Sequence, residues 1–283
     1  MAIPEYTVSL LIWIAPIIAL TFFFIKRRLL TPEKSFALLV TVLILSFIGF
    51  ALDLLFAHYF FTFDNHKAVC GLTIRRIPIE EFVFYLAGFL CVLFIYVFCD
   101  EWLLLKYNMP DTEYARYRST LKRKLVLHLK SLWLAPALIV AGTACKRIMN
   151  PAGEFIPGYF TFLVIAAYAP AFLFYGITKP FINWRAFLFS MQLTLLISVI
   201  WEVTLALPRG YWDYQHGAML GVFIGVWHDL PVEAVTVWMF CTLVILMYEY
   251  IKICYFTAEP SVPVHKLLLK MGREWRKEKI KNF

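Results

Sequence analysis

The 283-residue sequence lacks the motifs that mark several common classes of enzyme. No Gly-x-Gly-x-x-Gly motif follows a predicted strand, so we expect no nucleotide-binding domain. The six cysteines are scattered without paired metal spacing, and no His-rich helical spacing supports a metal centre. The first apolar run has no basic flank before it, which argues against a cleavable signal peptide. The sequence therefore predicts neither a bound metal nor a cofactor.

Apolar residues dominate the chain instead. They make up 61% of the sequence, and the mean hydropathy is +0.72, whereas soluble domains are roughly 45–50% apolar. Because a bilayer core of about 30 Å requires about 20 apolar residues per helix, we predict an all-α fold, a polytopic membrane helical bundle. The seven predicted spans are 6–25, 36–62, 79–104, 131–149, 157–178, 184–207 and 231–255.

The positions of the Lys and Arg residues orient this bundle. With seven spans, 21 of the 27 basic residues fall on one side of the membrane and six on the other. The positive-inside rule then places the N-terminus outside and the C-terminus in the cytoplasm. Without the weak fourth span, which Pro136 interrupts, the split would be 14 to 13. We expect a multi-pass protein of a bacterial cytoplasmic membrane, and no nucleic acid as a partner despite the net charge of +8.

Two predicted spans begin with related motifs. The third begins with Pro-Ile-Glu-Glu at 78–81, and the seventh begins with Pro-Val-Glu-Ala at 231–234. Proline at the first position and acids in the first turn also suit an ordinary helix start. Helix capping explains one such carboxylate, but it does not explain why the pattern recurs. Ala234 stands where the first motif has Glu81.

A second pair of acids lies ahead of each motif. Asp53 precedes Asp64 by eleven residues, and Glu202 precedes Asp213 by the same interval. A carboxylate inside an apolar run is rare and usually faces a bundle interior, although Asp53 could also reach water at the outer end of its span. The spacing predicts two three-helix repeats. The fourth span links them and keeps them parallel, so that both motifs lie on the same side.

These residues resemble a known family. Two three-helix units that carry IPIEEFVFYL, YWDY and LPVEA are similar to the membrane lycopene cyclases of the CarR type, whose bacterial forms are often two small subunits. The resemblance implies a carotenoid end-group cyclase with a linear substrate such as lycopene, and it leaves a homo-oligomer open. The domains predicted from it are a first cyclase repeat at 1–105, a connection with the linking helix at 106–150, a second repeat at 151–256 and a basic tail at 257–283.

Ring closure of a linear polyene requires a proton donor, shielding of a carbocation and a proton acceptor, without redox change. A buried carboxylic acid can donate that proton, and aromatic ring faces can shield the cation. Glu80 or Glu81 is the expected donor. The expected catalytic residues are Glu80, Glu81, Glu233, Glu202 and Asp53. The expected substrate-binding residues are Pro78, Phe82, Trp201, Tyr211, Trp212, Asp213 and Pro231.

Two other functions fit parts of the pattern. Intramembrane acids in parallel repeats also occur in proton- or cation-coupled transporters. His216, His228, Asp229 and Glu233 could together hold a metal ion. The acids cluster at one end of the spans rather than at the membrane midplane, which favours the cyclase over the transporter. The aromatic residues could also form an ordinary interfacial belt.

Overall fold

The computed structural model describes residues 4–110, 129–151, 155–237 and 240–257. Within these ranges the chain is a bundle of helices with three very short strand pairs. In chain order the helices are α1 (Glu5–Ser9), α2 (Leu11–Arg27), α3 (Pro32–Phe60), α4 (Ile79–Phe98), α5 (Leu134–Met149), α6 (Gly158–Leu163), α7 (Ala169–Thr178), α8 (Trp184–Trp201), α9 (Val232–Thr236) and α10 (Phe240–Thr257).

In the described parts of the chain, six helical segments are long and apolar enough to cross a membrane, which confirms an all-α polytopic bundle. They are Glu5–Arg27, Pro32–Phe60, Ile79–Leu103, Lys130–Met149, Gly158–Thr178 and Trp184–Ala206. These bounds agree closely with the first six predicted spans. The weak fourth span is among them, with a mean hydropathy of 1.3, the lowest of the six.

The seventh predicted span, 231–255, corresponds to α9 and α10. Residues 238 and 239 between them lie outside the described ranges. Most of the basic connection, 111–128, and of the basic tail, 258–283, also lies outside them. The predicted membrane orientation of the termini stays a prediction.

Local sequence explains several helix ends. Thr31 caps α3 by accepting a hydrogen bond from the Lys34 N–H at 3.4 Å, and Pro32 occupies the first turn. The Asn183 side chain accepts from the Ala186 N–H at 3.2 Å at the start of α8. At the end of α2, the left-handed Arg28 stops a helix whose last turn is basic, as the helix dipole favours.

Helix α4 lies at the centre of the bundle. It packs against α2, α3, α8 and α10. In the most apolar stretch of the segment Ile79–Leu103, 67% of the residues are buried. Helix α10 also packs against α3 and α7. Three π-helical turns interrupt this regular packing, at Cys99–Leu103, Val164–Tyr168 and Glu202–Ala206. Such turns are rare and often occur at functional sites.

The loops before the two acidic motifs form matching hairpins. Strands β2 (Thr73–Ile74) and β3 (Ile77–Pro78) pair in the first, and β5 (Phe223–Ile224) and β6 (Leu230–Pro231) pair in the second. A glycine with positive φ precedes each hairpin, Gly71 at +84° and Gly221 at +90°. The second half's three extra residues lie in the hairpin turn, which has two residues in the first hairpin and five in the second.

A third strand pair joins the two halves directly. Strand β1 (Phe61–Thr62) follows α3 and pairs antiparallel with β4 (Asp213–Tyr214), which follows α8. The Gln215 side-chain amide donates to the His58 carbonyl at 2.6 Å, and the Asn65 amide donates to the Arg209 carbonyl at 2.7 Å. The loops that follow the acid-bearing helices of the two halves are therefore in contact.

Candidate active site

An apolar cavity of about 370 Å³ lies between the helices of the two halves. Its walls come from α3, α4, the α6–α7 segment, α8 and α10, with mostly aliphatic and aromatic side chains. Three carboxylates line it: Asp53, Glu81 and Glu202. Two of these acids come from the first half and one from the second. The cavity therefore belongs to both halves.

Glu81 lies in the first turn of α4 and is buried. Its Oε1 accepts a hydrogen bond from the Tyr6 hydroxyl at 2.7 Å. Tyr6 lies on the short helix α1, is fully buried, and stacks on Tyr211 with ring centroids 4.8 Å apart. The first helix of the chain thus fixes the orientation of the Glu81 carboxylate.

The other two cavity carboxylates also receive tyrosine hydroxyls. Tyr85, one turn after Glu81 on α4, donates to Asp53 Oδ1 at 3.3 Å. Tyr214 on β4 donates to Glu202 Oε1. Asp53 Oδ2 is buried and has no hydrogen-bond partner among the described residues. Each acid therefore has one oriented oxygen, and Asp53 keeps a second oxygen available to a ligand or a proton.

The position of Glu202 depends on an irregular helix end. It begins the π-helical turn Glu202–Ala206, in which the Leu207 N–H donates to the Glu202 carbonyl at 3.0 Å. Its partner Tyr214 lies in the loop outside the spans. Burial, and then the neighbouring Glu202 carboxylate, raise the pKa of Tyr214 well above its usual value. Tyr214 therefore remains a neutral hydrogen-bond donor at any ordinary pH.

Aromatic rings surround the acidic end of the cavity. Phe84 stacks on Trp201 with centroids 5.0 Å apart, and Trp212 lies 5.4 Å from Trp201. Phe61, Tyr159 and Tyr214 continue this wall. Ring faces attract cations, so a positive charge that forms beside the carboxylates is in contact with π-systems rather than with water.

Glu80 and Glu233 occupy the same position of the Pro-x-Glu motif, and neither of them lines the cavity. Glu80 Oε1 accepts from the Cys70 N–H at 2.6 Å and from the Thr7 hydroxyl at 2.7 Å. Glu233 Oε1 accepts from the Leu220 N–H. Each glutamate thus accepts a hydrogen bond from the backbone just ahead of the glycine that precedes its hairpin, so the two motifs make matching contacts.

Of the seven residues expected to bind substrate, Trp201 and Trp212 line the cavity. The other five lie elsewhere. Phe82 packs with Ala57 and Ile77 in a separate small cluster. Tyr211 contacts Tyr6, Pro78 and Pro231 are strand residues of the two hairpins, and Asp213 is an exposed residue of β4. None of these five lines the cavity.

Sequence analysis missed several residues of the site. Tyr85 and Gly88 line the cavity and follow Glu81 by four and seven residues, so helical spacing alone could have placed them on its face. Phe84 also lines the cavity and follows Glu81 by three residues, so the same spacing could have placed it there, whereas Tyr214 has no such signal. Tyr6 lies 75 residues from its partner Glu81, and no local pattern connects them.

The metal-binding alternative has no support in the described parts of the chain. Within them, no group of three or more His, Cys, Asp or Glu side chains could hold a metal ion.

Comparison with protein-family models matches residues 5–99 to the family described as lycopene cyclase. This range is about a third of the chain and contains Asp53, Glu80, Glu81 and Tyr6. No curated protein and no solved structure matches the chain. The resemblance to membrane lycopene cyclases that the motifs predict is thereby confirmed over residues 5–99, and the two-subunit type and the two repeats stay predictions.

The family match and the apolar helices together indicate a membrane-embedded protein of carotenoid biosynthesis. They support a carotenoid cyclase with a lipid environment and a carotenoid substrate. Neither the match nor the apolar cavity supports the transporter alternative.

Proposed function

We propose that this chain is an intramolecular, non-redox carotenoid end-group cyclase, an isomerase of the lycopene cyclase kind. The observation that carries the proposal is a single apolar cavity with three buried carboxylates at one end, each hydrogen-bonded to a tyrosine. A hydrocarbon end group fits such walls, and the carboxylates supply the only chemistry that ring closure requires.

The reaction has three steps that balance without a cofactor. A carboxylic acid gives its proton to the terminal alkene, so an O–H bond breaks and a C–H bond forms. The second alkene attacks the resulting tertiary cation, which forms the carbon–carbon bond of the ring. A neighbouring C–H then loses its proton to a carboxylate and an alkene is restored. The product is an isomer of the substrate.

Glu81 is the proposed proton donor, because it lines the cavity whereas Glu80 does not. Neighbouring carboxylates in a dry site resist joint ionisation, so such a cluster retains a proton. Asp53 and Glu202 are the proposed acceptors of the final proton. The first oxygen of each is held by tyrosine, and Asp53 Oδ2 has no partner among the described residues.

The cation formed during ring closure would lie against the aromatic wall. Phe84, Trp201 and Trp212 offer ring faces beside the acids, and each desolvated cation–π contact contributes about 2 kcal/mol. Because the lining is mostly apolar, water has few hydrogen-bond partners there, which disfavours its addition to the cation.

Glu80 and Glu233 have a positioning role in this proposal. Each fixes a loop backbone through an N–H group of Cys70 or Leu220. The second half has Ala234 in place of Glu81 and contributes Glu202 to the shared cavity instead. One cavity with one donor then cyclises one end group at a time.

The test is expression of the chain in bacteria that accumulate lycopene, followed by chromatography of the pigments. Wild type is expected to yield cyclised isomers of unchanged mass. Glu81→Gln is expected to lower turnover by about 100-fold or more, the usual contribution of a general acid. Asp64→Asn, an exposed change in the neighbouring loop, is the matched control and should leave turnover unchanged. Full activity of Glu81→Gln would contradict the assignment of the donor, and absence of any cyclised pigment from wild type would contradict the proposed function.

A further inference from the structure

Two glycines line the cavity below the carboxylates, Gly49 on α3 and Gly88 on α4. Gly49 precedes Asp53 by one helical turn, and Gly88 follows Glu81 by two. With a rise of 1.5 Å per residue, the Gly88 backbone lies about 10 Å along the helix from the backbone of Glu81. Both glycines therefore lie beneath the acids, deeper in the bundle.

Neither glycine is required by close packing or by backbone conformation. A Cβ built on Gly88 meets no heavy atom within 4 Å, although this residue is buried. A Cβ on Gly49 would contact only the rings of Tyr85 and Phe89, at 3.8 Å or more, which is an ordinary distance. A glycine inside a helix costs about 1 kcal/mol relative to alanine. The effect of Gly88 on the structure is to leave space inside the cavity.

A second, independent feature of the same cavity indicates that it binds a ligand. Asp53 is 93% buried, lines the cavity, and has an Oδ2 without a partner in the described residues. The lining residues farther along the helices from the acids include Leu45, Val92, Val244 and Met247, all of them apolar. The cavity thus has a reactive polar end, a widened middle and a hydrocarbon floor.

We propose that Gly88 is a specificity-determining residue that opens a subsite for the conjugated chain next to the cyclised end group. The inference rests on the proposed function and identifies the part of the substrate that is recognised. An extended chain advances about 1.2 Å per bond, as a polypeptide does, so 10 Å corresponds to roughly eight bonds. The ring uses only the first six carbons of the chain. Gly88 therefore faces the polyene just beyond the ring, and the site selects long linear polyenes over short isoprenoids.

Substitution at Gly88 tests this subsite. Gly88→Ala and Gly88→Leu add volume where the wild type has open space, so both variants are expected to fold. The variant Leu86→Phe adds bulk on the exposed face of the same helix, where Leu86 is 39% exposed, and is the matched control. Quenching of tryptophan fluorescence by lycopene, in vesicles that contain the protein, reports binding separately from turnover.

The expected order of lycopene affinity is wild type, then Gly88→Ala, then Gly88→Leu, with a loss of about ten-fold or more for leucine. Leu86→Phe should bind like wild type, and Glu81→Gln should bind lycopene without cyclising it. Wild-type binding by a folded Gly88→Leu variant would overturn the inference. If that variant does not accumulate, unchanged binding by Gly88→Ala overturns it. If wild type binds lycopene and never cyclises it, the proposed function fails while the subsite is still tested by binding.

Discussion

Among the described residues, the hydrogen-bond partners of the cavity carboxylates are tyrosine hydroxyls rather than cations. Tyr6, Tyr85 and Tyr214 each donate to one acid. A lysine or arginine would hold a carboxylate permanently ionised, whereas a neutral hydroxyl can hydrogen-bond to an acid in either protonation state. This choice of partner suits a site that must both release and accept a proton.

The variant Tyr6→Phe isolates the role of one such hydroxyl. It removes the hydrogen bond that orients Glu81 and preserves the ring that stacks on Tyr211. Hydrogen bonds to charged groups contribute about 1.5–3 kcal/mol, so we expect kcat to fall about ten-fold to 100-fold while KM is unchanged. Tyr59→Phe, at a residue that is 67% exposed, is the control. A rise in KM with unchanged kcat would assign Tyr6 to substrate binding instead.

The raised pKa of Tyr214 predicts how the free energy of unfolding depends on pH. Its pKa is raised in the folded protein by burial and by Glu202, whereas in the unfolded chain it returns to about 10. Above pH 10 the unfolded state loses this proton first, so the free energy of unfolding falls by up to about 1.4 kcal/mol per pH unit. Below pH 10 the contribution of this tyrosine proton is constant. Thermal unfolding of wild type and Tyr214→Phe in detergent, compared from pH 10 upward, should show a difference that decreases for wild type as the pH rises.

Of the acids expected from sequence, three line the cavity while Glu80, the neighbour of Glu81, does not, for a geometric reason, and their catalytic roles stay a prediction. Asp53, Glu81 and Glu202 line one cavity, as a shared site requires. Successive helical residues point about 100° apart, so Glu80, Glu81 and Phe82 cannot all face that cavity. The open space at Gly88 depends on side chains from several helices, and no pattern within one helix encodes it.

At the scale of elements, the two hairpins repeat one design. In each, a glutamate at the start of a helix accepts a hydrogen bond from the backbone N–H of the residue just before a glycine of positive φ. The Ile79 N–H donates to the Leu72 carbonyl at 2.9 Å, and the Val232 N–H donates to the Val222 carbonyl at 3.0 Å. The glutamate of each Pro-x-Glu motif therefore hydrogen-bonds to the loop that precedes its helix. The second acid of the first motif, Glu81, lines the cavity instead.

Paired substitutions at Glu80 and Glu233 distinguish a role in hydrogen-bonding to the loop backbone from a role in catalysis. Glutamine retains a carbonyl oxygen that can accept the same N–H, so Glu80→Gln and Glu233→Gln should retain turnover within about ten-fold of wild type. Alanine removes these hydrogen bonds and leaves the buried Leu220 N–H unpaired in Glu233→Ala, which costs about 1–3 kcal/mol of stability. Both alanine variants should unfold at lower temperature than wild type. Loss of turnover in either glutamine variant at wild-type stability would instead make that glutamate a catalytic residue.

For the whole molecule, the hydrophobic pattern predicted the six spans closely because bilayer thickness fixes their length. It did not predict the π-helical turns, which arise where tertiary packing overrides the regular hydrogen-bond ladder. The parallel repeats predicted from sequence put both motifs on one side of the membrane, without indicating which residues of the two halves are in contact. The pairing of β1 with β4 and the Asn65–Arg209 hydrogen bond add a direct connection at the loops.

Those loop contacts lead to a topological prediction. Segments joined by hydrogen bonds must lie on one side of the membrane, so the loops after α3 and α8 share a side. The excess of Lys and Arg on the opposite side predicts that the loops after α3 and α8 lie on the non-cytoplasmic side. Reporter fusions after Asn65 and after Gly217 should both report the non-cytoplasmic side, and a fusion after Leu29, in the loop between α2 and α3, should report the cytoplasm as the internal control. Opposite sides for Asn65 and Gly217 would exclude parallel repeats and, with them, a cavity built from Glu81 and Glu202 together.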